Sequence, residues 1–282
     1  MPNVKIVVDS SSDIPAALAS DLGISVVPMP VTIEGRSYLE GVDITTDRFY
    51  PMFKNLAELP KTAQPNVQDM VRIYREAASG GSGVIAIHLS SGLSGTVGAA
   101  GLAKEMLGDE VQLAVVDSLG ASFGIGLLAI RAAELAREGV GLAEIVECVE
   151  RDKHQMRYVF SPNTLEYLIK GGRVGKLSGM VGSLLEIKPL LRLDESGKIE
   201  GYGKVRGRRT ALRKLVESMK ADISAPFEQK IGIAHSMCPE DVSLVLEEID
   251  ASCAVKEVLV SEIGCLIGSH TGPGCIALFY RS

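Results

Sequence analysis

The sequence predicts an α/β protein of two domains. Residues 1–156 are read as a parallel sheet with flanking helices, and residues 157–282 as an α+β domain with a mixed or antiparallel sheet. Three observations lead there. A chain of 282 residues exceeds the usual size of one domain and can bury a large core in each of two. Up to about Met156, strand patterns alternate with helix patterns, the grammar of a parallel sheet with helical crossovers. Beyond it, short turns join several strand-like runs and helices only interrupt them.

In order, Lys5–Asp9 is a β-branched strand, and Pro15 sits in the first turn of a helix ending near Leu22. Ile24–Val27 is a second strand; Val31–Ile33 and Arg36–Leu39 make a hairpin across the Glu34-Gly35 turn. Asp43-Ile44-Thr45-Thr46 caps a helix through Phe53, and Lys61–Pro65 is a loop whose proline opens a helix over Val67–Ala78. After the break at Gly80–Gly83 come a buried strand, Val84–His88, and a helix over Val97–Leu107. A strand at Val111–Val116 and two helices, Gly120–Glu138 and Leu142–Gln155, close this half. The second half reads as strands at Tyr158–Phe160, Pro189–Leu193, Lys198–Val205, Ile231–Ala234, Glu257–Ser261 and Cys275–Tyr280. Helical patterns lie at Thr164–Lys170, Arg208–Lys220 and Pro239–Ile249.

Composition excludes several classes. A net charge of −6 offers no basic excess for nucleic acid. No run approaches the ~18 apolar residues a membrane helix needs, and the first residues lack a signal-peptide pattern, so a cytoplasmic location is expected. The five cysteines form no CxxC pair and the four histidines no HxH or HExxH unit; reduced thiols and no metal site are expected. With no Trp and 5% aromatics, the core falls to aliphatic residues, and a cavity lined that way suits an alkyl chain.

The densest signal is Leu89–Thr96, a turn between strand and helix carrying Ser90, Ser91, Ser94, Thr96, Gly92 and Gly95. Such a turn presents free amides, the positive end of a helix dipole and hydroxyls to one small volume, where an anion or oxyanion belongs. A plain N-cap is the competing reading, but one cap needs fewer hydroxyls. Two more strands end in similar tips, Asp9-Ser10 and Asp117-Ser118, and strand tips line the ligand crevice of an open α/β sheet.

Three further motifs carry residues capable of chemistry. Lys170–Ser178 is Gly-rich and basic but fails as a P-loop, because Lys170 and Leu177 stand where Gly and Ser or Thr are required. Lys170 and Arg173 remain candidates for contact with a phosphate or an acidic partner. Gly92–Thr96 resembles a nucleophile elbow, with the order Ser94, Asp117 or Asp194, His270 of a serine hydrolase, although Thr96 replaces the closing glycine. Gly268–Gly274 reads as a tight loop between two strands that aims His270 by backbone geometry.

Together, Val8-Asp9-Ser10 to Pro15, Thr62–Pro65, Ser90–Thr96, Asp117-Ser118, Thr164–Leu168 with Lys170–Arg173, Ile187-Lys188-Pro189 and His270–Gly274 closely resemble the DegV family, the fatty-acid-binding subunits of bacterial fatty acid kinase. The resemblance spans essentially the whole chain and implies the EDD-like N-terminal fold, with one long-chain fatty acid buried between the domains. It implies that Thr62 and Ser94 hold the carboxylate with His270 nearby, supported by Ser90, Ser91, Gly95, Thr96, Asp117, Ser118, Gly268 and Thr271. A separate fatty acid kinase would then phosphorylate the carboxylate, so the chain itself is expected to be a carrier without catalytic residues or cofactor, meeting membrane surfaces transiently for acyl exchange. Two departures bear on the tunnel: Ala63 stands where Ser is common, and Val97-Gly98-Ala99-Ala100 replaces the usual Tyr-Gln-Ser-Ala. The competing function is a serine hydrolase of acyl substrates using Ser94 and His270.

Overall fold

The computed structural model describes residues 4–53, 56, 58–173, 186–251 and 253–282. Val4–Asp9 (β1), Ala16–Leu22 (α1), Ile24–Val27 (β2), Pro30–Ile33 (β3) and Arg36–Leu39 (β4) open the chain. Thr46–Phe53 (α2), the two-residue strand Lys61–Thr62 (β5) and Val67–Ala77 (α3) lead to Gly83–His88 (β6), Thr96–Leu107 (α4) and Leu113–Asp117 (β7). Two long helices follow, Phe123–Arg137 (α5) and Leu142–Gln155 (α6). The remainder comprises Met156–Ser161 (β8), Glu166–Lys170 (α7), Ile187–Leu193 (β9), Ile199–Arg206 (β10), Arg208–Asp222 (α8), Lys230–His235 (β11), Pro239–Asp250 (α9), Glu257–Glu262 (β12), Cys265–Thr271 (α10) and Ile276–Arg281 (β13).

The fold is α/β. A parallel sheet in the order β2-β1-β6-β7 is flanked by helices, and a mixed sheet in the order β10-β9-β8-β13-β11-β12 is antiparallel except for the pair β11–β12. Strand β6 is buried along its whole length, which is why its sequence is a continuous apolar run and not an alternating one. Helix α5 packs against β1 on one side and against β8, β11 and β13 on the other. A helix gripped from both sides has to be apolar all round, and Phe123–Ile130 is buried without interruption. Gly124 permits the contact, since a methyl there would strike the rings of Tyr158 and Phe279. One apolar cluster consequently runs through both sheets, from Val8 and Ile85 through Phe123 to Tyr158 and Phe279.

Three local expectations are corrected. Lys61 and Thr62, read as a loop, pair with Thr32 and Val31 of β3, adding an edge strand to a small antiparallel sheet, β4-β3-β5. Two residues carry no periodicity, so only the partner strand could reveal them. The helix expected from Gly120 starts at Phe123, because Leu119 and Ser122 hold left-handed φ angles of 52° and 56°. The Gly-rich segment around His270, read as a loop, is helix α10, ended by Gly272 at φ 70°. Gly and Ser are poor helix formers, and here tertiary contacts at the helix start override that propensity.

Candidate functional site

Between the two sheets lies a cavity of about 330 Å³, a size suited to a small-molecule ligand. Most of its wall is apolar, including Met29, Leu93, Phe160, Leu168, Leu193 and Ile199, while its polar lining includes Thr62, Gln64, Ser94, Arg173, His270 and Thr271. Four separate elements bring these polar groups together: β5 carries Thr62, the turn before α4 carries Ser94, the segment after α7 carries Arg173, and α10 carries His270.

Thr62 Oγ1 and His270 Nε2 are 2.8 Å apart, and the other ring nitrogen, Nδ1, is buried with no hydrogen-bond partner among the described residues. Burial and then the nearby positive charge of Arg173 push the His270 pKa down to about 4. The imidazole is therefore neutral at neutral pH, a donor or acceptor and not a counter-ion. Arg173 lies along the same wall, its Nη1 donating to Gly171 O at 2.6 Å. Ser94 Oγ is 2.9 Å from Thr96 Oγ1, and no side chain among the described residues caps the start of α4. The cavity lining thus offers hydroxyls, a neutral imidazole, a helix start and a guanidinium, groups that can hydrogen-bond an anionic oxygen without a metal.

Of the residues the sequence singled out, Thr62, Ser94, Gly95, Arg173, His270 and Thr271 line this cavity, whereas Ser90, Ser91, Thr96, Asp117, Ser118, Gly268 and Lys170 do not. Most of this second set ties the frame. Ser90 Oγ donates to Gly197 O at 3.0 Å, pinning the turn to the β9–β10 connection. Asp117 Oδ1 accepts from the Ser91 and Leu119 amides, Ser118 N donates to His88 O, and buried Thr96 bonds Ser94. Gly268 gives Tyr50 room, since a methyl there would strike its hydroxyl. Exposed Lys170 pairs with Glu166 at 2.6 Å, so it and Arg173 face different surroundings. Residues 174–178 of the basic Gly-rich motif lie outside the described residues.

The strand tip at Asp9 is likewise structural. Fully buried, Asp9 bonds His88 Nδ1 at 2.9 Å and the Leu89 amide at 3.0 Å, and Tyr74 closes the chain on His88 Nε2 at 2.6 Å. Burial alone would raise the Asp9 pKa; hydrogen bonding and charge from His88, with the Ser11 and Leu89 bonds, hold it below the usual carboxylate value. A buried, satisfied network of this kind fixes where β6 ends and the Ser94 turn begins.

A serine-hydrolase triad is not assembled. Among the described residues Ser94 bonds Thr96, the His270 Nε2 partner is Thr62, and no carboxylate reaches His270 Nδ1. Asp117 and Asp194 accept from backbone amides of their own turns. Among the cavity residues that were not candidates, three carry polar N or O side chains. Gln64 lies in the Thr62–Pro65 motif and lays its amide against Gly95; Ser122 and Tyr158 carry no local signal.

The sequence model of the DegV family matches residues 3–282. A DegV domain-containing protein of Clostridium perfringens is 33% identical over 285 residues, covering 99% of this chain and 98% of its own. A DegV family protein from Thermus thermophilus, described as fatty acid binding, superposes with a TM-score of 0.92 at 35% identity, over 99% of this chain and 100% of that one. A DegV family protein from Ruminococcus gnavus, described with vaccenic acid, gives 0.91 at 25% identity over 99% and 100%.

Proposed function

We propose that this chain, which belongs to the DegV family, binds one long-chain fatty acid in the cavity between its sheets, with the carboxylate at Thr62, Ser94 and His270. The observation that carries the reading is the cavity's make-up: a mostly aliphatic wall that also carries Ser94 and a Thr62 hydroxyl 2.8 Å from the neutral imidazole of His270. Burying ~15 methylenes at ~0.8 kcal/mol each contributes on the order of 12 kcal/mol, so the tail supplies most of the affinity. The head group then has only to avoid an unpaired buried charge, which the Thr62 and Ser94 hydroxyls and the first amides of α4 accomplish.

The chain acts as a carrier. A separate ATP-dependent kinase phosphorylates the presented carboxylate, and the protein retains the acyl phosphate. Arg173, on the cavity wall beside His270, suits the extra negative charge of that product. Loading and release occur in the cytoplasm, with transient contact to a membrane surface.

Native mass spectrometry of freshly purified protein, followed by extraction, tests the reading. One fatty acid per chain is expected, lost from a Thr62→Ala/Ser94→Ala double variant. Protein that purifies empty and takes up no added fatty acid overturns it. Incubation with ATP and fatty acid should give no acyl phosphate until a kinase is added; turnover by the chain alone refutes the carrier assignment.

A further inference from the structure

Helix α10 carries His270 and Thr271 to the cavity at one end, and at its other end it is held by two buried acids. Gly264 N donates to Asp13 Oδ1 at 2.9 Å; the Cys265 amide donates to Glu40 Oε1, as does Leu266 N at 3.2 Å. Both acids are only 7% exposed. They come from the opposite half of the chain: Asp13 follows β1 and Glu40 follows β4. Their remaining oxygens are engaged as well. Asp13 Oδ2 accepts from Ser122 Oγ, on the cavity wall at the start of α5, and Glu40 Oε2 accepts from Ser10 Oγ at 2.7 Å. Gly264 passes so close to both that a methyl group there would strike each carboxylate.

We infer that Asp13 and Glu40 are positioning residues for the carboxylate site, setting the place of α10 and through it the contact of His270 with Thr62. The inference rests on the fatty-acid reading of the cavity. Neither acid lines the cavity; both act through the elements they hold, α10 foremost. Two carboxyls packed around one glycine in a buried place cannot both ionise cheaply, so the pair retains a proton. Burial, with the adjacent Asp9 charge, raises Glu40 to about 7 despite its hydrogen bonds from Ser10, Leu266 and Cys265. Asp13 is pushed well above the ordinary value by burial and then by Glu40.

The other titratable groups around the pair are Tyr50 of α2, Cys265 of α10 and Cys275 ahead of β13, all held neutral by burial. Across a neighbouring cleft lined by both acids stand Glu262 and His235, whose pKa is lowered chiefly by burial. None of these groups supplies a positive charge at neutral pH, so the proton stays with the acids.

The test compares affinities for oleate and oleyl alcohol, which share a tail and differ in the head group. Glu40→Ala leaves the Cys265 and Leu266 amides without their acceptor; oleate affinity is expected to fall about tenfold and that of the alcohol by less than about threefold. Glu40→Gln keeps an acceptor for both amides and can donate to Ser10 Oγ, so it should restore oleate binding to within about threefold of wild type. An unchanged acid-to-alcohol ratio in Glu40→Ala overturns the inference.

A ligand-free readout covers the case in which Glu40→Ala does not fold. The His270 ring resonances, assigned with His270→Gln, should move between about pH 6 and 8 in the wild type and stay still in Glu40→Gln. Superimposable titrations in the two proteins overturn the inference. If Ser94→Ala also leaves the acid-to-alcohol ratio unchanged, the fatty-acid reading is what fails, and the His270 resonances still decide whether Glu40 positions the ring.

Discussion

The two ends of α10 are both polar, yet their hydrogen bonds are used differently. At the start, Asp13 and Glu40 each accept through both carboxylate oxygens, and the bonds tie together β1, β4, α5 and α10. At the finish, His270 has one ring nitrogen engaged and the other without a partner among the described residues, beside an aliphatic cavity. Filled capacity marks a joint of the frame, whereas spare capacity facing a cavity marks a place for a ligand. Spare capacity alone is insufficient: Ser161 Oγ is also buried with no partner among the described residues but lines no part of this cavity.

The largest test of that contrast is truncation at each end. Asp13→Ala strands the Gly264 amide and the Ser122 hydroxyl and should cost about 2–5 kcal/mol in urea unfolding. His270→Ala removes one side-chain hydrogen bond, to Thr62, and should cost about 1 kcal/mol or less while weakening fatty acid retention. Equal stability losses, or the reverse order, would break the contrast.

Next in size is the pH dependence, where the two ends act with opposite sign. Glu40 titrates near 7 in the folded protein against an ordinary 4.5. Its contribution to stability is complete below about 4.5 and is lost as the pH rises through 7, at most about 3 kcal/mol. His270 titrates near 4 when folded against 6.5 when unfolded, so its contribution is present above about 6.5 and is lost as the pH falls toward 4. Between about pH 4.5 and 7, the unfolding midpoint of Glu40→Gln should rise relative to wild type as the pH increases, and that of His270→Gln should fall relative to it. A Glu40→Gln profile that runs parallel to wild type from about pH 4.5 to 7 would contradict the shared proton.

The smallest effect is expected outside both ends. Lys170, exposed and paired with Glu166 one helical turn away, should change stability by less than about 0.5 kcal/mol on replacement by Ala. Arg173→Ala should act on the cavity instead, raising the His270 pKa by removing a positive neighbour. A ring titration unchanged in Arg173→Ala would separate the guanidinium from the imidazole and sharpen the boundary of the head-group end.

Read from sequence alone, the strands and helices of the parallel sheet emerge within a few residues of their bounds, because periodicity, caps and turns are encoded locally. The Leu89–Thr96 turn stood out for the same reason, and the ordered motifs identified the family. Half of the signal for α10 was also present, since Gly272 followed by Pro273 is a helix-stop pattern. Only the tertiary structure decided that the segment before them is helical, because one acceptor that starts α10, Glu40, stands 225 positions from Cys265. It decided as well which hydroxyls face the cavity. Ser90 and Ser94 look alike in sequence, but Ser90 reaches Gly197, 107 positions away, and is taken up in the frame, while Ser94 lies on the cavity wall. A residue's type and spacing state which bonds it can make; which are already made depends on partners that only folding brings within 3 Å or so.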